Sequence, residues 1–324
     1  MTVTQVPVID DLESHRRELT GYCYRMLGSA YDAEDAVQEA LIRALRGAGG
    51  FEGRSSVRSW LYRIATNVCL DMLRSRKRRA IPVELGPARP PVEASLADVL
   101  PEGAWVSPIA DDRVLPAEAD PAEIAELRES VRLAFVAALQ HLPPRQRASL
   151  ILCDVLRWPA VEAADLLDTS VAAVNSALQR ARASLAERDR PPSNLQSDLD
   201  AESSQLLERY VDAFERYDID EFVRLLHEDA VQTMPPFAMW LRGATDIGAW
   251  MLGVGAGCRG SRLLRTAASG APAFAQYRPD PAGGHRPWGL HVLDVSDGRI
   301  REIDSFLDTD RLFPLFGLPM HLPQ

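Results

Sequence analysis

The residues best suited to chemistry lie between Val57 and Ala80, where seven side chains are basic and only Asp71 is acidic. Arg58, Arg63, Arg74, Arg76, Lys77, Arg78 and Arg79 supply the charge, and Trp60 and Tyr62 stand among the first of them. Guanidinium and ammonium groups neutralise phosphates, and this charge neutralisation dominates affinity for nucleic acid. Aromatic rings beside them suit a melted strand, because unstacked bases can stack on rings. The plainer reading is a solvated basic helix end, with Trp60 and Tyr62 in a core. A second constellation lies at 171–187. Val171, Val174, Leu178, Ala181 and Leu185 recur at spacings of three and four and form an apolar stripe. Asn175, Gln179 and Arg182 share another face, with Ser176 and Arg180 alongside. Asn and Gln can pair bidentately with adenine, and Arg with guanine, when a helix enters the major groove. The plainer reading here is a helical hairpin with a polar outer face.

The elements that position these side chains follow from periodicity and breakers. Helices are expected over 12–27, 32–45 and 57–79, with Gly47, Gly49 and Gly50 opening a loop through Ser56. One helix is expected over 122–141, broken by Pro143 and Pro144 and resuming over 145–156. Pro159 suits the start of a short helix to Leu167. Asp168 and Thr169 make a turn, and Ser170 suits the N-cap of the last helix. Two short helices across a tight turn are a helix-turn-helix pattern. Between the helical segments, 81–121 is acidic and rich in proline (Pro82, Pro87, Pro90, Pro91, Pro101, Pro108, Pro116, Pro121), a linker of low helix potential. A second polar, proline-containing linker spans 189–200. Beyond it the pattern changes to helices at 203–217, 219–227 and 244–252. Strands are expected at 230–234, 262–267, 271–278, 288–295 and 299–306, the last two joined by an Asp297–Gly298 hairpin turn.

Length and charge set the bounds. A chain of 324 residues predicts two or three units. The net charge of −10 speaks against a nucleic-acid partner only until it is divided along the chain. Residues 1–80 hold 13 basic against 10 acidic side chains, 81–121 hold two against eight, and 197–324 hold 12 against 19. Cys23, Cys69, Cys153 and Cys258 are scattered, with no pair at CxxC spacing, so neither a metal site nor a disulfide framework is expected. No signal pattern and no bilayer-length apolar run is seen, which predicts a cytoplasmic protein without membrane contact.

Together the two constellations carry a resemblance. The stretches DAEDAVQEA, from Asp32, and SWLYRIATNVCLDMLR, from Ser59, resemble region two of extracytoplasmic-function sigma factors. The stretch from Leu139, LQHLPPRQRASLILCDVLRWPAVEAADLLDTSVAAVNSALQRARASL, resembles their region four. Order, spacing and the separating linker are similar as well. The C-terminal stretches LLERYVDAFERYDIDEFVRLLHEDAVQTMPP and GLHVLDVSDGRIREIDSFLD resemble a SnoaL-like domain, a cone of helices curled against a mixed sheet. The implied architecture is multidomain: an all-α sigma region two at 10–80, the acidic linker at 81–121, and an all-α helix-turn-helix region four at 122–188. After the linker at 189–200 comes an α+β SnoaL-like cone domain at 201–324.

The resemblance implies a promoter-specificity subunit with no catalytic residues and no cofactor. Its partners would be core RNA polymerase, through the β′ clamp helices and the β flap, and promoter DNA. Asp35, Gln38 and Glu39 fall where the family docks on the β′ clamp. Phe51, Arg54 and Ser55 fall in the loop that captures a flipped base of the minus-ten element, and Arg58, Arg63, Asn67 and Arg74 where the melted strand is held. Asn175, Ser176, Gln179 and Arg180 would read the minus-thirty-five element, with Arg182 on phosphate. Better-known members often carry Arg where this chain has Asn175 and Ala177, which leaves the promoter sequence open. The acidic linker would thread the polymerase toward the RNA exit path, or serve as a plain tether. His227, Met234, Trp240, Trp250, Tyr277, His291 and Asp304, with Asp229 beside them, are candidates to line a small-molecule pocket in the cone. His227 and Asp229 could equally end a helix, and the Trp and Met residues could be core. The resemblance further implies that the cone domain acts as an internal regulator. Two other functions fit parts of the pattern: a ligand-responsive repressor or activator, and a SnoaL-like isomerase or hydrolase fused to a DNA-binding arm. The DAEDAVQEA and SWLYRIA segments separate the first reading from these, since neither alternative needs a polymerase-docking helix.

Overall fold

The structure, a computed structural model, describes residues 12–51, 53, 55–74, 78–116, 120–186 and 201–323. Arg54, part of the basic run at 75–77, and the 189–200 linker lie outside the described residues. Two compact units emerge. One comprises described residues of Met1–Arg79 and Asp111–Arg190, the other those of Ala80–Ala110 and Pro191–Gln324.

The first unit is helical. Helices α1 (Arg16–Leu27), α2 (Ala30–Gly47) and α3 (Val57–Arg74) pack together. Gly28, at φ 69°, ends α1, and the Ser29 hydroxyl accepts from the Asp32 amide to start α2. That capping bond is worth about 1 kcal/mol. Of the apolar positions of α2, Ala33, Val37, Ala40, Leu41 and Ala44 are buried as their spacing predicts, whereas Leu45 at the end of the helix is 44% exposed. The expected 122–141 helix divides. Arg132 leaves helical geometry at ψ 143°, between α4 (Pro121–Val131) and α5 (Leu133–Gln140). No proline or glycine marks this break. Both halves pack on α1, and the fully buried Arg25 of α1 donates to the Ser130 hydroxyl at 2.6 and 3.1 Å, so tertiary contacts override local propensity. Then follow α6 (Pro144–Leu150), a π-helical turn Ile151–Val155, α7 (Ala160–Leu166) and α8 (Val171–Ala186). The α7–α8 turn has Asp168 at φ 50°, and the Ser170 hydroxyl accepts from the Ala173 amide at 3.1 Å. The helix-turn-helix and its cap therefore form where expected.

The second unit is a six-stranded mixed sheet with three helices against one face. Its elements are α9 (Ala201–Arg216), α10 (Ile219–Leu225), β1 (Leu226–Thr233), β2 (Trp240–Arg242) and α11 (Ala244–Leu252). Strands β3 (Arg262–Ala268), β4 (Ala271–Pro279), β5 (His285–Ser296) and β6 (Arg299–Phe306) and helix α12 (Thr309–Leu315) complete it. The strand order is β2-β1-β6-β5-β4-β3, with β1 and β6 parallel and the other pairs antiparallel. Asp297 and Gly298 both take positive φ in the β5–β6 hairpin, the geometry of a type I′ turn. The main core (Leu207, Tyr210, Phe214, Phe222, Leu241, Ile247, Trp250, Phe274, Leu293, Ile303) lies between the sheet and α9–α11.

The acidic linker does not stand apart from this unit. Arg89 donates its amide to the Trp240 carbonyl at 2.8 Å, Ala238 to Asp98 at 2.8 Å, and Leu100 to Pro236 at 3.0 Å. The Trp240 indole donates to the Gly86 carbonyl at 2.8 Å, and Leu96 packs on the main core. Further along, Ser269 donates its amide to Ile109 at 2.8 Å, and Ala110 bridges Ala268. The segment thus covers the β2 end of the sheet and reaches the β3 end. Its eight prolines give it low helix potential, and part of its backbone is hydrogen-bonded to the sheet unit instead.

Candidate nucleic-acid interface

Helix α8 buries Val174, Ala177, Leu178 and Ala181. The opposite surface exposes Asn175, Ser176, Gln179, Arg180 and Arg182. Arg180 lies 3.2 Å from the Ser176 hydroxyl, one turn away. Arg182 is held bidentately by Asp154 at 2.7 and 2.9 Å, and this carboxylate raises the Arg182 pKa further above its ordinary value. Val171 is 38% exposed and Leu185 half-buried, so the buried stripe is shorter than the sequence spacing implied.

On α3 the charged residues diverge from the aromatic ones. Tyr62 is fully buried, stacks 4.9 Å from Trp158 and 5.2 Å from Tyr22, and is core. Trp60 packs 5.0 Å from Phe51, so neither ring offers both faces to a base. Asn67 is exposed, Ser55 is half-buried, and Arg74 extends into solvent beside Asp71 at 3.0 Å. Arg58 donates to Glu18 at 2.8 Å and lies 5.0 Å from the Trp158 ring centroid. Arg63 donates to the Asp165 carboxylate at 2.7 Å and to its carbonyl at 3.1 Å. Nothing in the spacing of α3 signalled Trp158 or Asp165 as partners, because both lie about a hundred residues away. On α2, Asp35 and Gln38 are exposed and Glu39 binds Arg43 at 2.6 Å.

Beneath this surface lies a buried polar seam. Arg147 donates to the carbonyls of Met26, Gln140 and Leu142 and to the Gln140 side chain, and Gln140 donates to the Arg25 carbonyl at 3.3 Å. Burial lowers both Arg25 and Arg147 to a pKa of about 10. Both remain cationic at neutral pH.

In the second unit the residues expected to share one pocket divide between two faces. His291 and Trp250 lie on the helix-covered face, and Met234 packs against the same core. Register puts Trp240 beside Thr233, Thr233 beside Asp304, and Asp304 beside Val292, one row on the opposite face. Asp304 accepts from the Thr233 hydroxyl at 2.5 Å. Tyr277 packs 5.2 Å from Phe313 of α12, away from His291. His227 lies in β1, accepts from the Asp229 amide at 3.1 Å, and does not end a helix; Asp229 is exposed beside Arg242. A side-chain period of two separates residues that a linear scan groups together. Sequence reading missed the partners of His291. Tyr210 Oη lies 2.8 Å from its Nδ1, Gln276 Oε1 lies 3.0 Å from its Nε2, and Gln276 donates to Ser261 at 2.9 Å. Since the amide oxygen can only accept, Nε2 carries the proton and Nδ1 accepts from Tyr210. Burial pushes the His291 pKa down to about 4, which keeps the ring neutral. Both ring nitrogens are occupied, and the relay is a structural one. Among the described residues no group of His, Cys, Asp and Glu could hold a metal, and no helix is long and apolar enough to cross a membrane.

Comparison with known proteins assigns these parts. The sigma-70 region 2 profile matches residues 12–79, the sigma-70 region 4 profile 132–185, and the SnoaL-like domain profile 207–303. The ECF RNA polymerase sigma factor SigG of Mycobacterium tuberculosis is 48% identical over 315 residues, 95% of this chain and 82% of that protein. The chain belongs to the extracytoplasmic-function sigma factors. SigJ of the same organism is 27% identical over 319 residues, covering 94% of this chain and 92% of its own. The SigJ crystal structure superposes with a TM-score of 0.62 at 24% identity, covering 96% of this chain and all of that one, so the fold is shared. This sigma factor binds core RNA polymerase and promoter DNA and directs promoter-specific initiation. It is a specificity subunit, not an enzyme, and it carries a SnoaL-like domain after region four.

Proposed function

We propose that the minus-thirty-five element is read by Asn175, Ser176, Gln179 and Arg180, with Arg182 on phosphate. The observation that carries this is their common exposure on α8, opposite a stripe buried against the rest of the helix-turn-helix. On region two, Asp35, Gln38 and Glu39 form the docking face for the β′ clamp helices, and region four meets the β flap. Phe51, Ser55, Arg58, Arg63, Asn67 and Arg74 hold the melted minus-ten strand. Substituting Gln179 by Ala removes a bidentate donor–acceptor pair, which costs about 1–3 kcal/mol at one base pair. Run-off transcription with core polymerase on a promoter library would then show relaxed preference at one position of the minus-thirty-five element. An unchanged preference would oppose the assignment.

The SnoaL-like unit acts as an internal regulator by holding the acidic linker. The hydrogen bonds of Gly86, Arg89, Asp98 and Leu100, and the packing of Leu96, support this reading. A linker bound to the cone domain is not free to enter a polymerase channel. The Leu96→Asp substitution in the full chain is expected to release it and change transcript yield. Equal yields at every concentration of the protein would count against the reading. A small-molecule ligand in the cone has weaker support, since His291, Tyr210, Gln276 and Ser261 already satisfy one another.

A further inference from the structure

Arg180 and Arg182 stand two residues apart on α8 but are held differently. Arg180 lies 3.2 Å from the neutral Ser176 hydroxyl of its own helix. Arg182 is bonded outside α8, to Asp154 of the π-helical turn Ile151–Val155. Its Nε meets one carboxylate oxygen at 2.9 Å and its Nη2 the other at 2.7 Å. This side-on fork fixes the plane of the guanidinium as well as its position. The neighbouring cation Arg157 is bonded to Glu126 at 2.9 Å, so the Asp154 carboxylate is given to Arg182.

The π turn aims Asp154. The Leu156 amide donates to the Ile151 carbonyl at 2.9 Å, five residues back, and the buried Ile151 and Leu152 anchor the turn in the core. A π turn carries one residue more than the α-helical turn it replaces, which shifts the side chains that follow around the axis. Such turns are rare and recur at functional sites. Here the shift brings a carboxylate to α8, which packs on α6.

Occupied on one edge, the guanidinium keeps its other edge, Nη1 with the second Nη2 hydrogen, for an acceptor. That edge can meet phosphate oxygens while Asp154 stays in place. Arg182 lies seven residues after Asn175 and three after Gln179, on their side of the helix and about 10 Å along the axis from Asn175. It therefore meets the backbone beside the bases that these two would read. The brace has two opposed effects on binding. A carboxylate close to DNA repels phosphate. A guanidinium already held in one orientation loses less side-chain freedom when it binds. Their opposite signs make them separable.

We propose that Asp154 is a positioning residue for promoter recognition, a brace that holds Arg182 side-on in the orientation in which it grips the backbone of the minus-thirty-five element. The proposal rests on the assignment of Arg182 to phosphate. The Asp154 and Arg182 side chains are 30% and 62% exposed, so substitutions there leave the core of region four in place. The test uses the full chain bound to core polymerase, on a promoter taken from the run-off library, and follows closed-complex affinity against salt. Asp154→Asn is expected to weaken binding about five-fold. Loss of the negative charge alone would instead tighten it about two-fold. Arg182→Gln should weaken binding and lower the salt slope by about one. Asp154→Asn should add nothing in the Arg182→Gln background, because the brace then has nothing to hold. Unchanged or tighter binding in Asp154→Asn, with Arg182→Gln weakened, overturns the brace and leaves the phosphate assignment standing. A loss in Asp154→Asn that persists in full beside Arg182→Gln also overturns the brace and marks Asp154 as structural. Unchanged affinity and slope in Arg182→Gln overturn the phosphate assignment and the brace with it.

Discussion

Replacing Arg147 by Met would test what joins the helices of the first unit. Methionine keeps much of the aliphatic stem but removes the donors that serve Met26, Leu142 and both oxygens of Gln140. Arg147 is 4% exposed, so water does not readily replace them. Each abandoned buried acceptor costs about 1–3 kcal/mol, which would total roughly 4–12 if nothing relaxed. Against this stands the relief of removing a cation that burial has already driven down to a pKa of about 10. Some of the carbonyls can also be rewetted as the helix ends shift. A net loss of about 3–5 kcal/mol, near the low end of that sum, is the expected balance. That is a large fraction of an ordinary domain's stability. With a urea dependence of about 2 kcal/mol per molar, the unfolding midpoint should fall by about 2 M. Hydrogen-exchange pulse labelling across a urea series reads α1 and α6 separately from the sheet. A shift below about 0.3 M in those helices, equivalent to about 0.6 kcal/mol, would refute the view that this seam is held by the guanidinium.

Three further outcomes are expected. His291 is neutral when folded and has an ordinary pKa of 6.5 when unfolded, so protons favour the unfolded state as the pH falls below 6.5 toward 4. Stability of the sheet unit should be flat above pH 6.5 and lower by about 2 kcal/mol at pH 5. Urea midpoints measured against pH would show this slope, and it should vanish in His291→Leu. The Trp240→Phe substitution removes the indole donor to Gly86 and should cost about 1 kcal/mol of local stability. Limited proteolysis between 86 and 100 should accelerate about five-fold, with the sheet unaffected. At Gly284, with φ 69°, an added Cβ would stand 2.3 Å from the Leu322 carbonyl, so Gly284→Ala should detach the His285–Leu322 pairing. Exchange at the Leu322 amide would report it.

The exposed polar face was legible where its residues are neighbours along one helix. Asn175, Gln179 and Arg182 can be placed on one face of α8 from spacing alone, because 3.6 residues per turn leaves no other arrangement. Asp35, Gln38 and Glu39 of α2 were named from the resemblance to region two, and Asp35 and Gln38 are exposed. The pocket candidates were not legible. His291 and Asp304 lie on opposite faces of a sheet whose register depends on a parallel β1–β6 pairing and on bulges in three strand pairs. The break at Arg132 was hidden because its cause is a contact with α1, not a breaker residue.

Sequence by itself determined most of the elements, though not β2, α12 or the break at Arg132, together with the helix-turn-helix, the hairpin at Asp297–Gly298 and the family. Those rest on local periodicity, turn chemistry and motifs, all carried by contiguous residues. Tertiary structure alone decided which charges are available. Arg58 and Arg63 read as free cations in the sequence, yet they are engaged by Glu18, Trp158 and Asp165. The acidic linker read as a segment threading the polymerase or as a plain tether, yet its backbone is bound to the SnoaL-like sheet. A charge or an amide carries no mark of its partner. The partner is set by which distant segment the hydrophobic core brings within about 3 Å, and that distance belongs to the fold.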